Sequence, residues 1–150
     1  MENKLQQLTQ KLYEHGCTVY GQDFSQRMIE LAKVKMPKAE LYQGDFTKGL
    51  VETLKQNRYD AIVATYSLHH LTDAEKVVFI ENLRPLLNDG GKIYIGDVAF
   101  PNRVQMEACR ADAGDEWDGD EIYFVVDELQ ARFPQMRFEP LSYCSGVLTL

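Results

Sequence analysis

The chain has 150 residues and a formal charge of −7, from 16 Lys plus Arg against 23 Asp plus Glu. That length predicts one domain, and a content of 45% hydrophobic and 26% charged residues excludes a disordered or fibrous chain. A chain of this size buries roughly 70% of its unfolded surface and needs no disulfide staple. The acidic balance speaks against a nucleic-acid backbone as the main partner.

The acidity is local. Residues 112–121, DAGDEWDGDE, hold six acids and no Lys or Arg, which is −6 of the −7. Cys17, Cys109 and Cys144 are odd in number and form no CxxC, so reduced thiols in a cytoplasmic protein are expected. No apolar run reaches the roughly 18 residues of a spanning helix, so no membrane partner is expected. The polar start, MENKLQQLTQKLYEHG, predicts no secretory signal.

Leu5, Leu8 and Leu12 stand at helical spacing, and Gly16 supplies a stop. Residues 18–22 are β-prone and end at Asp23. Ser25 caps a second helix with Met28, Ile29, Leu31 and Ala32 on its apolar side, closed by Pro37. Residues 39–43 predict a short strand ending at Gly44-Asp45-Phe46, and 48–57 a brief helix. Tyr59–Ala64 is a continuous apolar run after one acid, the pattern of a strand buried on both faces.

Thr72 with Glu75 predicts a capping box. Its helix carries Phe79, Ile80, Leu83, Leu86 and Leu87, is loosened by Pro85, and is stopped by Asp89-Gly90-Gly91. Residues 92–97 predict a strand, 101–111 and about 125–133 helices, and 136–150 a closing hairpin around Cys144-Ser145-Gly146. The alternation predicts an α/β, doubly wound, Rossmann-like and mostly parallel sheet with a C-terminal antiparallel hairpin. Ligands of such sheets bind beyond the carboxyl ends of the strands.

Three features fall at those ends. Asp23 is placed to accept from both hydroxyls of a ribose, or simply to open a helix. Asp45 is placed to accept from an exocyclic amine beside Phe46, or to form a turn. Thr65-Tyr-Ser-Leu-His-His-Leu71 follows the apolar strand, where polar groups often face a ligand. Two adjacent histidines on a helix or strand point apart, so no metal pair is expected.

Read in order, VYGQDFSQRMIELAK, LYQGDF, YDAIVATYSLHHL and LRPLLNDGGKIYIGDV resemble the class I S-adenosylmethionine-dependent methyltransferases, chiefly the small bacterial methyltransferase-domain type. The resemblance runs from about residue 5 to residue 150. It implies S-adenosylmethionine as cofactor and S-adenosylhomocysteine as product. It also implies a cofactor ribose on Asp23, with Phe24 and Met28 lining the adenine. The adenine amine falls to Asp45 with Phe46, and the methionine and sulfonium end to Thr65, Tyr66 and Ser67. Tyr66, His69 and His70 are the candidate catalytic groups, and the acceptor is expected to be a small molecule.

The sequence departs from the family at two places. Pro-Gly-Gly before the fifth strand appears as Asp89-Gly90-Gly91. The family's first strand and its E/DxGxGxG loop have no counterpart, since the ten glycines contain no GxGxG. A sheet lacking that strand exposes two inner edges. Three outcomes follow: the flanking strands pair directly, another copy lends a strand through self-association, or the domain is marginally stable. Cofactor binding is expected to be weak or absent, because three or four lost hydrogen bonds at about 1–2 kcal/mol each cost orders of magnitude.

The acidic segment with Trp117 either selects a cationic or amine substrate or is a solvated, mobile loop. It lacks the calcium-loop pattern. The competing functional reading is a non-catalytic, truncated interaction module. A nicotinamide-dependent oxidoreductase is disfavoured by the missing glycine fingerprint.

Overall fold

The computed structural model describes residues 4–150, with side chains described from residue 7; the Leu5 side chain lies outside the described residues. The chain forms two compact units, one running to Asn57 and one from Arg58 to Leu150. Each has its own sheet: a parallel pair in the first, and five strands in the second.

In the first unit, α1 (Lys4–Glu14) ends where Gly16 adopts φ +94°. Gly16 N–H donates to Tyr13 O at 3.0 Å and Cys17 N–H to Leu12 O at 3.1 Å, which satisfies the last carbonyls of the helix. β1 (Tyr20–Asp23) pairs parallel with β2 (Glu40–Gln43), Asp23 lying opposite Gln43. Between them α2 (Gln26–Lys35) is capped by Ser25 Oγ, which accepts from Met28 N–H at 3.3 Å. Ile29 and Ala32 of α2 pack with Val19, Met36, Ala39 and Leu41. Leu31, expected on the apolar side, is instead 46% exposed. A 3₁₀ turn (Phe46–Lys48) and the short α3 (Glu52–Lys55) complete the unit.

In the second unit the strand order is β3-β4-β7-β6, with β5 joined to β4. β3 (Tyr59–Thr65) runs parallel to β4 (Leu87–Phe100), and so does β5 (Phe124–Val125). β6 (Arg137–Pro140) and β7 (Ser145–Thr149) form the expected antiparallel hairpin, with β7 against β4. Ile93, Ile95 and Leu148 are fully buried. β3 corrects the expectation of a strand buried on both faces. Asp60 and Ala61 are exposed and the rest half-buried, because β3 has a neighbour on only one side in its sheet.

α4 (Asp73–Leu83) opens with the predicted capping box, Thr72 Oγ1 and Glu75 N–H at 3.2 Å and Glu75 Oε1 and Thr72 N–H at 3.2 Å. Pro85 turns the expected last helical turn into a 3₁₀ turn over Arg84–Leu86. β4 then begins at Leu87, five residues earlier than expected, and its register with β3 jumps between Tyr59↔Leu87 and Ala61↔Lys92. The excursion is Asn88–Gly91, anchored by Asn88 Nδ2 donating to Asp60 Oδ1 at 2.9 Å. Gly90 there has φ +78°.

α5 (Arg103–Ala113) is capped by Asn102. α6 (Val126–Arg132) follows β5 directly. The acidic stretch is ordered locally by a 3₁₀ turn at Gly114–Glu116, and Trp117 packs edge-on to Tyr123 at 5.1 Å and near Phe100 at 6.3 Å. No helix among the described residues is long and apolar enough to cross a membrane.

Lys76 on α4 is 1% exposed. Its Nζ donates to the Ile122 carbonyl, lies 3.8 Å from Asp73 Oδ1, and sits 4.7 Å above the Phe124 ring. Burial pushes the ammonium below the usual lysine range, against the pull of Asp73 and Asp97.

Two consequences are measurable. A Cβ on Gly91 meets the backbone oxygens of Asn88, Asp60 and Tyr59 at 2.9, 3.0 and 3.1 Å, whereas one on Gly119 meets nothing within 4 Å. Gly91→Ala should therefore lower stability by about 1–3 kcal/mol in urea unfolding, and Gly119→Ala should change it by less than about 0.5 kcal/mol. For Lys76 the folded value lies below the unfolded one. The unfolded state then binds more protons between the two values, and the stability associated with Lys76 rises with pH across that window. The stability of the parent relative to Lys76→Met should climb as pH is raised from neutrality toward about 10.4 and level off above it. A flat difference across that range would show that burial does not disfavour the ammonium.

Candidate functional site

In the first unit, both predicted acids lie just where their strands stop. Asp23 closes β1, and its Oδ1 accepts from Ser25 N–H at 2.8 Å. Asp45 follows β2, and its Oδ1 accepts from Thr47 N–H at 2.9 Å and Thr47 Oγ1 at 2.7 Å. Those bonds hold the Asp45 carboxyl below the usual carboxylate range. Each acid thus makes the turn that the plainer reading expected. Neither turn uses Oδ2, so each carboxylate is oriented by one oxygen and presents the other.

Gly44 is required by a neighbour rather than by its own dihedral angles. An added Cβ meets Gln22 Cδ and Nε2, both at 2.7 Å. The Gln22 amide crosses at this point, donating to Gly49 O at 3.1 Å and accepting from Val51 N–H at 2.9 Å. It fixes the loop that carries Asp45. Phe24 is 72% exposed, and Met28 and Phe46 are half-buried.

In the second unit, the segment after β3 is organised by a residue that sequence reasoning missed. Asp97, near the carboxyl end of β4 and just past its pairing with β3, is 1% exposed. Its Oδ1 accepts from Val98 N–H at 2.8 Å and lies 3.3 Å from His69 Nδ1, and its Oδ2 accepts from Leu68 N–H at 3.4 Å. Burial pushes the Asp97 carboxyl up, and the bonds from Val98, His69 and Leu68 pull it back. The sequence signal was a lone acid in the apolar run IYIGDVAF, since a charge inside a buried strand needs partners.

At the carboxyl end of β3, Thr65 Oγ1 is buried and has no hydrogen-bond partner. Tyr66 has φ +50°, the one non-glycine residue with positive φ among those described, while its N–H still donates to Gly96 O at 2.8 Å. A tyrosine in the left-handed region costs about 1–2 kcal/mol, and such departures cluster where a chain binds or reacts. Ser67 is half-buried and Leu68 fully buried.

His69 and His70 lie on a turn, not on a helix or strand, which overturns the expectation that they point apart. Their ring centroids are 4.3 Å apart. His69 Nε2 is 3.5 Å from Glu121 Oε1, contributed by the acidic segment. That segment is brought in by Ile122, whose N–H donates to His69 O at 2.7 Å and whose carbonyl accepts from Lys76. Tyr123 follows, and burial pushes its phenol up, helped by Glu121. Five of the six acids at 112–121 are exposed, as the solvated reading has them, and the sixth, Glu121, is half-buried beside His69.

A family model described as a methyltransferase domain matches residues 5–93. An uncharacterized methyltransferase of Anoxybacillus flavithermus is 46% identical over 106 residues, covering 71% of this chain and 49% of the relative. Another, from Geobacillus thermodenitrificans, is 39% identical over 140 residues, covering 87% of this chain and 63% of the relative. The chain thus spans about half to two thirds of the length of these relatives. Among solved structures, the DhpI–SAM–HEP complex superposes with TM-score 0.71 at 19% identity, covering 95% of this chain and 72% of that one. Magnesium protoporphyrin IX methyltransferase from Synechocystis with bound SAH gives 0.68 at 16% identity, covering 95% and 67%. By its matched domain the chain belongs to the methyltransferase-domain family, and its fold is the one seen in proteins solved with SAM or SAH bound.

Proposed function

We propose that the chain takes part in methyl transfer from S-adenosylmethionine to a small-molecule acceptor. The observation that carries this reading is made within each unit: in the first, Asp23 closes β1 and Asp45 follows β2 at the carboxyl ends of a parallel pair. In the second, taken by itself, the orphaned Thr65 hydroxyl closes β3. These residues fit the cofactor's chemistry. A carboxylate suits paired ribose hydroxyls, a second suits an aromatic amine, and a buried unpartnered hydroxyl awaits a polar group.

In this assignment Asp23 accepts from the ribose through Oδ2 while Ser25 holds Oδ1. Asp45 accepts from the adenine amine in the same way, with Thr47 holding its other oxygen. The family resemblance assigns the base to Phe24, Met28 and Phe46, and the methionine end to Thr65, Tyr66 and Ser67. The bound cofactor supplies an electrophilic methyl group. The chain's task is then to position the acceptor in line with it. Tyr66, His69 and His70 are the groups assigned to the acceptor. An acceptor that loses a proton passes it to His69, whose ring is oriented by Asp97. The cysteine content and the family's chemistry agree with a cytoplasmic setting.

These 150 residues contain no GxGxG, the loop that gives the family its close backbone contacts to the methionine end. Calorimetric or NMR titration of the chain with S-adenosylhomocysteine should therefore detect binding weaker than the low micromolar range. Asp23→Ala should weaken it further by about tenfold or more, the worth of hydrogen bonds to a charged group. Tight binding that Asp23→Ala leaves unchanged would overturn the assignment. No binding from a folded sample would favour the alternative, a non-catalytic module that keeps the family's scaffold.

A further inference from the structure

We propose that His69, His70 and Glu121 form a binding site for a divalent transition-metal ion of the zinc class. The inference concerns the second unit alone and does not depend on methyl transfer.

The geometry is that of a three-ligand site. The two imidazoles and the carboxylate each offer a ligand atom, and these atoms all lie within 4.8 Å of one another. The 3.5 Å between His69 Nε2 and Glu121 Oε1 matches a tetrahedral edge. Zinc–nitrogen and zinc–oxygen bonds of about 2.1 Å place neighbouring ligand atoms roughly 3.4 Å apart. The His70 ring comes to 4.3 Å from that of His69, because both residues lie on a turn. Two histidines and one carboxylate suit zinc, cobalt or iron(II) rather than magnesium or calcium, which prefer oxygen alone.

A metal-bound histidine characteristically gives its other ring N–H to a carboxylate or carbonyl, which fixes the tautomer. Asp97 is placed to do this for His69. Its Oδ1 lies 3.3 Å from Nδ1, and its side chain is fully buried and held by Val98 and Leu68. With the proton on Nδ1, the Nε2 lone pair faces a carboxylate oxygen. Two acceptors at 3.5 Å need positive charge between them.

The third ligand is also positioned, since the peptide after Glu121 is bonded at both ends. Ile122 N–H reaches His69 O and its carbonyl accepts from the buried Lys76. His70 is exposed, which leaves a coordination position open to solvent or to an acceptor. An occupied site takes the His69 Nε2 lone pair and offers an oxygen or thiol ligand a Lewis-acidic partner.

The test is titration of the full 150-residue chain with Co²⁺, followed by visible absorption, and then displacement by Zn²⁺. The expected result is saturation at one equivalent with the bands of a low-coordinate nitrogen–oxygen site. His70→Ala and Glu121→Gln should each weaken binding about tenfold or more, with unchanged circular dichroism. His15→Ala, which alters the remaining histidine at an exposed position, should leave it unchanged. The absence of saturable binding would overturn the proposal. So would binding indifferent to both ligand variants, or a thiolate charge-transfer band lost on replacing Cys17, Cys109 or Cys144 by serine.

Discussion

The buried carboxylate of Asp97 is the constraint on which the rest of the second unit's chemistry depends. A charge-capable group in the middle of a sheet is costly unless each oxygen finds donors. Asp97 finds them in its own following peptide and in the turn beyond β3, through Leu68 N–H and the His69 ring. The cost of burying the acid is thereby turned into a tether. The segment Tyr66–Leu71 cannot leave the sheet without exposing Leu68 and Leu71, 0% and 2% accessible, and stripping Asp97 of two partners. An unsatisfied buried acceptor alone would cost about 1–3 kcal/mol. The left-handed Tyr66 is then understandable as local strain outweighed by that anchorage.

A second anchor works on the other side of the same turn. Lys76 is the only lysine among the buried residues described, and its charge meets one peptide carbonyl, one aromatic face and the Asp73 carboxylate at 3.8 Å. Through Ile122 it fixes where the acidic segment meets His69. Ten residues that read as a solvated run thus divide into exposed acids and one acid, Glu121, with an address. The distinction matters because a screened surface carboxylate is worth little, whereas one held 3.5 Å from an imidazole nitrogen shapes what that imidazole can do.

Local rules were the legible part of this sequence. Gly16, Ser25, Thr72 with Glu75, and Pro85 all act on residues within a turn of themselves, and each does in the structure what its chemistry predicts. The strand-end acids were also legible, because an acid between an apolar strand and a helix is a local pattern. What escaped was set by contacts far along the chain. Lys76 meets Ile122, 46 residues away, and His69 meets Asp97, 28 residues away. The histidine pair shows the difference most clearly. Its expected divergence followed correctly from helix or strand geometry, and failed because Leu68 and Asp97 hold those residues in a turn. The exposure of β3 has the same origin, since an apolar run states what a strand tolerates and not how many neighbours it has.

Asp23 and Asp45 show why a structural role and a binding role need not compete. A carboxylate has two oxygens and about four acceptor sites. In both residues the backbone turn takes Oδ1 alone. An acid that only opened a helix could be serine or asparagine without loss, because those residues cap as well. The two-oxygen group gains meaning when something must be held on the far side of the turn, and the turn then supplies the orientation that binding needs. The same logic governs His69, with one ring nitrogen given to the fold and the other left for chemistry. In each unit, the groups best placed to act are those whose other half is already bonded to the protein.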